Sequence, residues 1–217
     1  LAATPAIPPG SFGYRLEVRR KKPKQERSKA TVDAIVEATG QVFERHGFRK
    51  TTTTEIAERA GVSVGSLYQY FPDKRALIAS FFERRLAHDV QMMESILLRG
   101  AGAGPAEVVR IAAEEMVRIY REERSLYRGV VEILPLMEQT QEVQAGLERA
   151  VALGAQYLGS YPEALGGRDP ELLAILVFHG IRGALNAVVA HAPDKLDDPA
   201  LPEAVAGGAL GFLRLPR

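Results

Sequence analysis

The sequence predicts an all-α protein: a small N-terminal three-helix unit in front of a larger helical domain. Three observations carry that expectation. Apolar residues recur three and four positions apart through most of the chain, no stretch alternates as a half-buried strand does, and no fixed period repeats. The breaks between stripes are marked by glycine, proline and small capping residues. At 217 residues and 46% hydrophobic, the chain can bury one large core or two unequal ones.

Residues 1 to about 26 are Pro-rich and then basic, ending in the run RRKKPK, Arg19 to Lys24. Such a segment is either a solvated tail or an arm that touches DNA. Its charges follow its few apolar residues, the wrong order for a secretory signal. The first helix then shows Val32, Ile35, Val36, Thr39, Val42 and Phe43 on one stripe, and it closes at Gly47 in the left-handed conformation. Thr52 and Glu55 stand in capping-box relation, opening a short helix that buries Ile56, Ala57 and Ala60 and stops at Gly61.

GVSVG, Gly61 to Gly65, also fits the G-x-S-x-G pattern of a hydrolase nucleophile elbow, which needs a strand before it. Here a capped helix precedes it instead. Ser63 is therefore placed to cap a third helix, VGSLYQYF, whose buried side chains are Leu67 and Phe71. Two short helices joined at a glycine behind a longer one make a helix-turn-helix.

From Lys74 onward helices are expected at about 74–98, 105–123, 126–134, 141–160, 170–191 and 202–213. Breaks are expected at Gly100–Gly104, Pro135, Tyr161–Pro170 and Pro193–Pro202. Glu171 to Ala192 nears membrane-spanning length, but His179, Arg182 and Asn186 interrupt it, so burial by protein is expected and no membrane contact. Charge divides along the chain. Residues 1–75 hold 14 basic and 8 acidic side chains, a net +6, and residues 76–217 hold 14 and 19, a net −5. That asymmetry reads as a polyanion-binding module joined to something different. There is no cysteine, which excludes disulfides and thiolate metal sites and agrees with a reducing cytoplasm. His88, His179 and His191 are too scattered for a metal site, and no cofactor is expected.

At TTTTEIAERAGVSVGSLYQYFPDKRAL, Thr51 to Leu77, the sequence closely resembles the TetR family of bacterial transcriptional repressors. The resemblance spans roughly residues 28 to 78 and rests on the I-A-x-x-A-G-V-S turn, the L-Y-x-Y-F run and the lysine three residues beyond. With the flexible basic arm read at 1–26, it implies a DNA-binding domain at 27–73 and a ligand-binding and dimerisation domain at 74–217. It implies that Thr54, Val64, Gly65 and Tyr68 face base edges. Thr53, Ser66, Tyr70 and Lys74 would hold phosphates, Lys50 and Arg49 would add to them, and Gln69 fits either role. Small side chains at Val64, Gly65 and Ser66 leave much of the readout to thymine methyls and DNA shape.

In the larger domain Phe82, Met93, Met116, Tyr120, Met137 and Phe178 suit an adaptable apolar pocket, or plain core. Glu132 and Arg182 stand among apolar neighbours, where either could orient a polar ligand group or pair with the other. The last two helices are apolar over more of their girth than one core uses. Leu172, Ile175, Leu185, Val188, Val205, Ala209 and Phe212 are therefore expected to meet a second subunit as a four-helix bundle. The resulting expectation is a dimeric repressor that binds a palindromic double-stranded DNA operator and is released by a small, largely apolar effector. A regulator of the same fold without a small-molecule effector, and a serine hydrolase using Ser63, are the alternatives.

Overall fold

The computed structural model describes residues 26–137 and 140–213, the side chains of 134–137 and 142 excepted. The basic arm expected at 1–26 falls almost wholly outside those residues. Among them there is no strand. The elements are α1 (Glu26–Lys50), α2 (Thr53–Arg59), α3 (Val64–Tyr70), α4 (Lys74–Arg99), α5 (Pro105–Glu122), α6 (Arg124–Met137), α7 (Gln141–Gly159), α8 (Pro162–Leu165), α9 (Pro170–His191) and α10 (Leu201–Leu213). A 3-10 turn at Pro193–Asp197 precedes α10.

α1 buries the stripe read from its sequence, Val32, Ile35, Val36, Val42 and Phe43. Its end differs from expectation. Gly47 has φ 70 and ψ 175, a positive-φ conformation open to glycine but not the left-handed helical one, and the chain resumes a helical turn through Lys50. Thr51 closes that turn, its N–H and its hydroxyl both donating to the Gly47 carbonyl at 3.2 and 2.8 Å. The capping box is half made. Thr52 Oγ1 accepts from Glu55 N, while the Glu55 carboxylate turns to His46 Nε2 at 2.9 Å and so ties α2 to α1.

Pro135 does not break α6. It falls in the final turn, where the one donor it lacks costs a single intrahelical bond, and the helix runs on to Met137. The region expected as a plain break at Tyr161–Pro170 contains the short α8.

Three of the packing regions among the described residues position the site. α1, α2, α3 and the first turns of α4 enclose a head core that includes Ile35, Ile56, Leu67, Phe71 and Leu77. α5, α6, α9 and α10 pack around Tyr120, Val117, Leu185, Leu196 and Val205. Between the two regions, Phe43 of α1 meets Ile78 and Ala79 of α4 and Leu126 and Ile133 of α6. The division expected at 73/74 thus falls just before a helix that serves both sides.

α9 is long and apolar enough to cross a membrane by length and composition, with a mean hydropathy of 1.8 in its most apolar window, only 28% of which is buried. It buries a stripe of Leu173, Ala174, Ile181, Leu185 and Val189 against the protein. The opposite side stays apolar and open: Leu172 is 53% exposed, Ile175 38%, and Phe212 on α10 39%. Val188 is half-buried. Leu185, Val205 and Ala209, expected at a subunit interface, are instead buried inside the protomer, because the stripe facing α5 and α10 runs through them.

Candidate nucleic-acid interface and interior cavity

The turn between α2 and α3 is built by two local devices. Gly61, at φ 68, lets its own N–H reach the Glu58 carbonyl and the Val62 N–H reach that of Ala57, the paired bonds of a Schellman motif. Ser63 Oγ then accepts from the N–H of Ser66 at 3.0 Å and lies 2.8 Å from the Ser66 hydroxyl. The serine is the N-cap of α3.

Leu67 and Phe71 anchor α3 from beneath, and Val64, Gly65, Tyr68 and Gln69 are left on its outer side. Thr54 is exposed at the start of α2. Thr53 is half-buried, its hydroxyl 3.1 Å from that of Tyr68, which holds the tyrosine ring between the two helices. Ser66 is half-buried, and Tyr70 is half-buried against the head core. Lys50 and Arg49 are exposed in the last turn of α1. Lys74 donates from Nζ to the Phe48 carbonyl at 2.9 Å and sits 4.6 Å from the centroid of that ring, which uses one of the ammonium's three donors. The outer face therefore offers small and hydroxylic groups on two short helices, flanked by cations.

The larger domain encloses a cavity of about 190 Å³. Phe82, Met93, Met116, Tyr120, Phe178 and Arg182, named from the sequence, all contribute to its wall. Glu132 does not. It lies on the exposed side of α6, because Ile133 takes the inward position, and the expected pairing with Arg182 across a pocket is not made. The Met137 side chain lies outside the described residues.

The sequence reading missed the cavity's polar groups Arg85, Asp89 and Asn186. A signal for the first two was present. They are four residues apart on the same side of α4 as Phe82, Leu86, Val90 and Met93, so two charges interrupt an otherwise apolar stripe. Arg85 Nε donates to Asp89 Oδ1 at 3.1 Å, and its Nη1 lies 2.7 and 2.6 Å from the two Glu123 oxygens. Burial opposes the Arg85 charge, but the Glu123 hydrogen bond and the surrounding negative field outweigh it and raise its pKa. Burial pushes the Asp89 carboxyl upward, with Arg85 opposing the shift. Beside them Tyr120 and Tyr127 stack with ring centroids 3.7 Å apart, both phenols pushed up by burial and hence neutral. Tyr120 donates its hydroxyl to Asn186 Oδ1 at 2.9 Å.

An aromatic group connects this cavity to the head. Phe82, on the cavity wall, meets Phe43 of α1 edge to face at 5.5 Å, and Phe81 lies 5.1 Å from Phe82. Glycines receive the rings. A Cβ on Gly40 would fall 2.3 Å from Phe81 Cε2, and one on Gly129 of α6 would fall 2.7 Å from Phe43 Cζ. Arg84 adds an ion pair to Asp33 at 2.5 Å, again between α4 and α1.

Comparison with known proteins agrees at both ends of the chain. Residues 30–81 match the profile for bacterial regulatory proteins of the tetR family, and residues 90–211, more than half of the chain, match the tetracyclin repressor-like C-terminal domain. Among curated proteins, the uncharacterized HTH-type transcriptional regulator YerO of Bacillus subtilis (strain 168) is 33% identical over 78 residues, covering 36% of this chain and 27% of the relative. Matches of this kind span about a quarter to two fifths of the curated relatives' own length. Solved structures align over much more. A TetR-family structure from Mesorhizobium loti MAFF303099 superposes with TM-score 0.69 at 21% identity, covering 87% of this chain and 98% of that one. The fatty acid degradation regulator FadR of Bacillus halodurans superposes with TM-score 0.62 at 25% identity, covering 90% and 99%.

Proposed function

The chain belongs to the TetR family of bacterial transcriptional regulators, and from that premise we propose that it is a cytoplasmic, homodimeric, non-enzymatic repressor that binds a palindromic operator and is released by a small, largely apolar ligand. The observation that carries this reading is α4. One helix closes the head core with Ala76 and Leu77 and walls the cavity from Phe82 to Leu97, so an occupant of the cavity touches an element of the reading head.

In this reading α3 enters the major groove. Thr54, Val64, Gly65 and Tyr68 meet base edges, and Lys50, Thr53, Ser66, Tyr70 and Lys74 hold phosphates. The exposed apolar side of α9 and α10, with Leu172, Ile175, Val188 and Phe212, supports pairing of two copies, which sets two heads a helical turn or its multiple apart. The ligand acts by fitting the cavity better in the released form, with a coupling of about 1–3 kcal/mol. A fatty acid regulator among the structural relatives agrees with an apolar occupant.

Ser63 serves as a cap in this account, not as a nucleophile. Selection of bound sequences from a random DNA pool tests the function. A palindrome with two half-sites is expected, and binding that prefers no sequence over bulk DNA would overturn it. Titration of the selected operator complex with apolar metabolites separates this reading from a regulator of the same fold that answers to no small molecule.

A further inference from the structure

Resting on the reading of the cavity as the ligand site, we propose that its polar end selects a neutral head group that donates a hydrogen bond, such as an alcohol, a phenol or a primary amide, over carboxylates and over esters or thioesters that only accept. Asp89 is the residue that reads the head.

The placement of the polar groups comes first. Asp89 lines the cavity, and both of its polar contacts, Arg85 Nε at 3.1 Å and His88 Nδ1 at 3.9 Å, fall on Oδ1. Among the described residues Oδ2 has no hydrogen-bond partner. The Asp89 side chain is partly open, so Oδ2 is an acceptor left to water until a ligand donor takes that place. A ligand with a donor supplies what the wall lacks, and an ester or thioester head cannot.

Charge points the same way. Arg85 is held between Asp89 and Glu123, so these three groups sum to one negative charge. A ligand carboxylate brought beside Asp89 would place a second negative charge next to the first. Arg182 and Asn186 face from α9 around the same Tyr120 ring, and both can donate. They suit the lone pairs of a hydroxyl or amide oxygen whose hydrogen goes to Asp89.

Beyond Asp89 the wall turns apolar along α4 through Val90 and Met93 to Leu97. The eight steps from Asp89 to Leu97 advance about 12 Å. An extended chain gains about 1.2 Å per bond, so a tail of roughly ten bonds fills that length. The ligand class is a medium-chain amphiphile with an uncharged donor head.

Isothermal titration of the full chain with 1-octanol, octanoate and methyl octanoate tests this, the three differing only in what the head offers. Octanol is expected to bind about tenfold or more tightly than either of the others. Asp89→Asn, which keeps the shape and removes the charge, should bring octanoate to within about threefold of octanol. Octanoate or the ester binding as well as octanol in the parent protein would overturn the selection and leave the cavity's role intact. An unchanged ratio in Asp89→Asn would overturn the part given to Asp89. Binding of none of the three would refute the inference together with the ligand-site reading. The comparison within the parent protein needs no variant to fold.

Discussion

Gly129→Ala is the substitution whose effect the packing fixes most sharply. In an open helix, glycine to alanine gains about 0.5–1 kcal/mol from backbone entropy. Here the new methyl would stand 2.7 Å from Phe43 Cζ and 2.9 Å from Cε1. Carbon atoms in contact prefer about 3.5–4.0 Å, so the ring must retreat by about 1 Å. It has nowhere to go. Phe43 is fully buried, its ring meets Phe82 edge to face, and Phe81 behind is itself pressed against Gly40. Overpacking of this kind costs about 1–3 kcal/mol, which outweighs the helix gain. At about 2–4 °C per kcal/mol for a chain of this size, thermal unfolding should fall by roughly 2–8 °C. Phe43→Leu in the same chain removes the clashing ring edge. A double-mutant cycle should therefore give a favourable coupling above about 1 kcal/mol. A raised midpoint for Gly129→Ala, or additivity of the two changes, would refute the fit of α1 against α6.

Three further outcomes are expected. Gly61→Ala should cost about 1 kcal/mol in chemical denaturation although no neighbour lies within 4 Å of the added Cβ, because the strain is in the positive φ alone; a neutral change would undo the turn. Lys74→Ala should weaken binding to operator and random DNA alike and flatten the salt slope by about one unit, whereas Tyr68→Ala should change which sequence is preferred; equal losses for Tyr68→Ala on both DNAs would remove it from the base-reading set. Leu172→Glu, on the open side of α9, should give a folded monomer by sedimentation, whereas Leu185→Glu buries an unpaired charge and should unfold the chain; a folded Leu185→Glu protein would contradict its place in the core.

The head was legible because its signals are local. A threonine three residues before a glutamate, a glycine at a helix end and a serine one residue before a helical stripe each act within one turn of chain, and the caps at Thr52 and Ser63 form as their spacing predicts. What failed there failed through tertiary contact: Glu55 left the capping box for His46, a residue nine positions away. In the larger domain the stripes located the helices but not their inner sides. α9 is apolar nearly all round, so the sequence could not say that Leu185 faces inward and Leu172 outward. Glu132 stood out as a charge among apolar neighbours, yet one helical step puts it on the far side of α6 from the cavity. Arg85 and Asp89 interrupt the apolar stripe of α4, but in a charged stretch that signal is weak, and the pairing of Arg85 with Glu123, between α5 and α6, is what marks them as inward-facing.

On the proposed reading, the same geometry divides the cavity into contacts that would bind and contacts that would signal. α4 is 26 residues long, about 39 Å, and it is gripped where Phe81 seats on Gly40, some 10 Å from its first residue. Leu97 lies about 24 Å beyond that grip. A rigid helix pivoting there would reduce a 1 Å push at Leu97 to about 0.4 Å at Lys74 by the ratio of those two lengths. The far, apolar end is thus poorly placed to move the head, though it holds most of the burial that gives affinity. Phe82 is next to the grip and touches Phe43 directly, so pressure at the polar end reaches α1 without a lever. A ligand shifts an equilibrium only by its difference in affinity for the two states. For the proposed ligand, that difference would have to be made near Phe82, Arg85 and Asp89, where its head group would sit, and less by its tail.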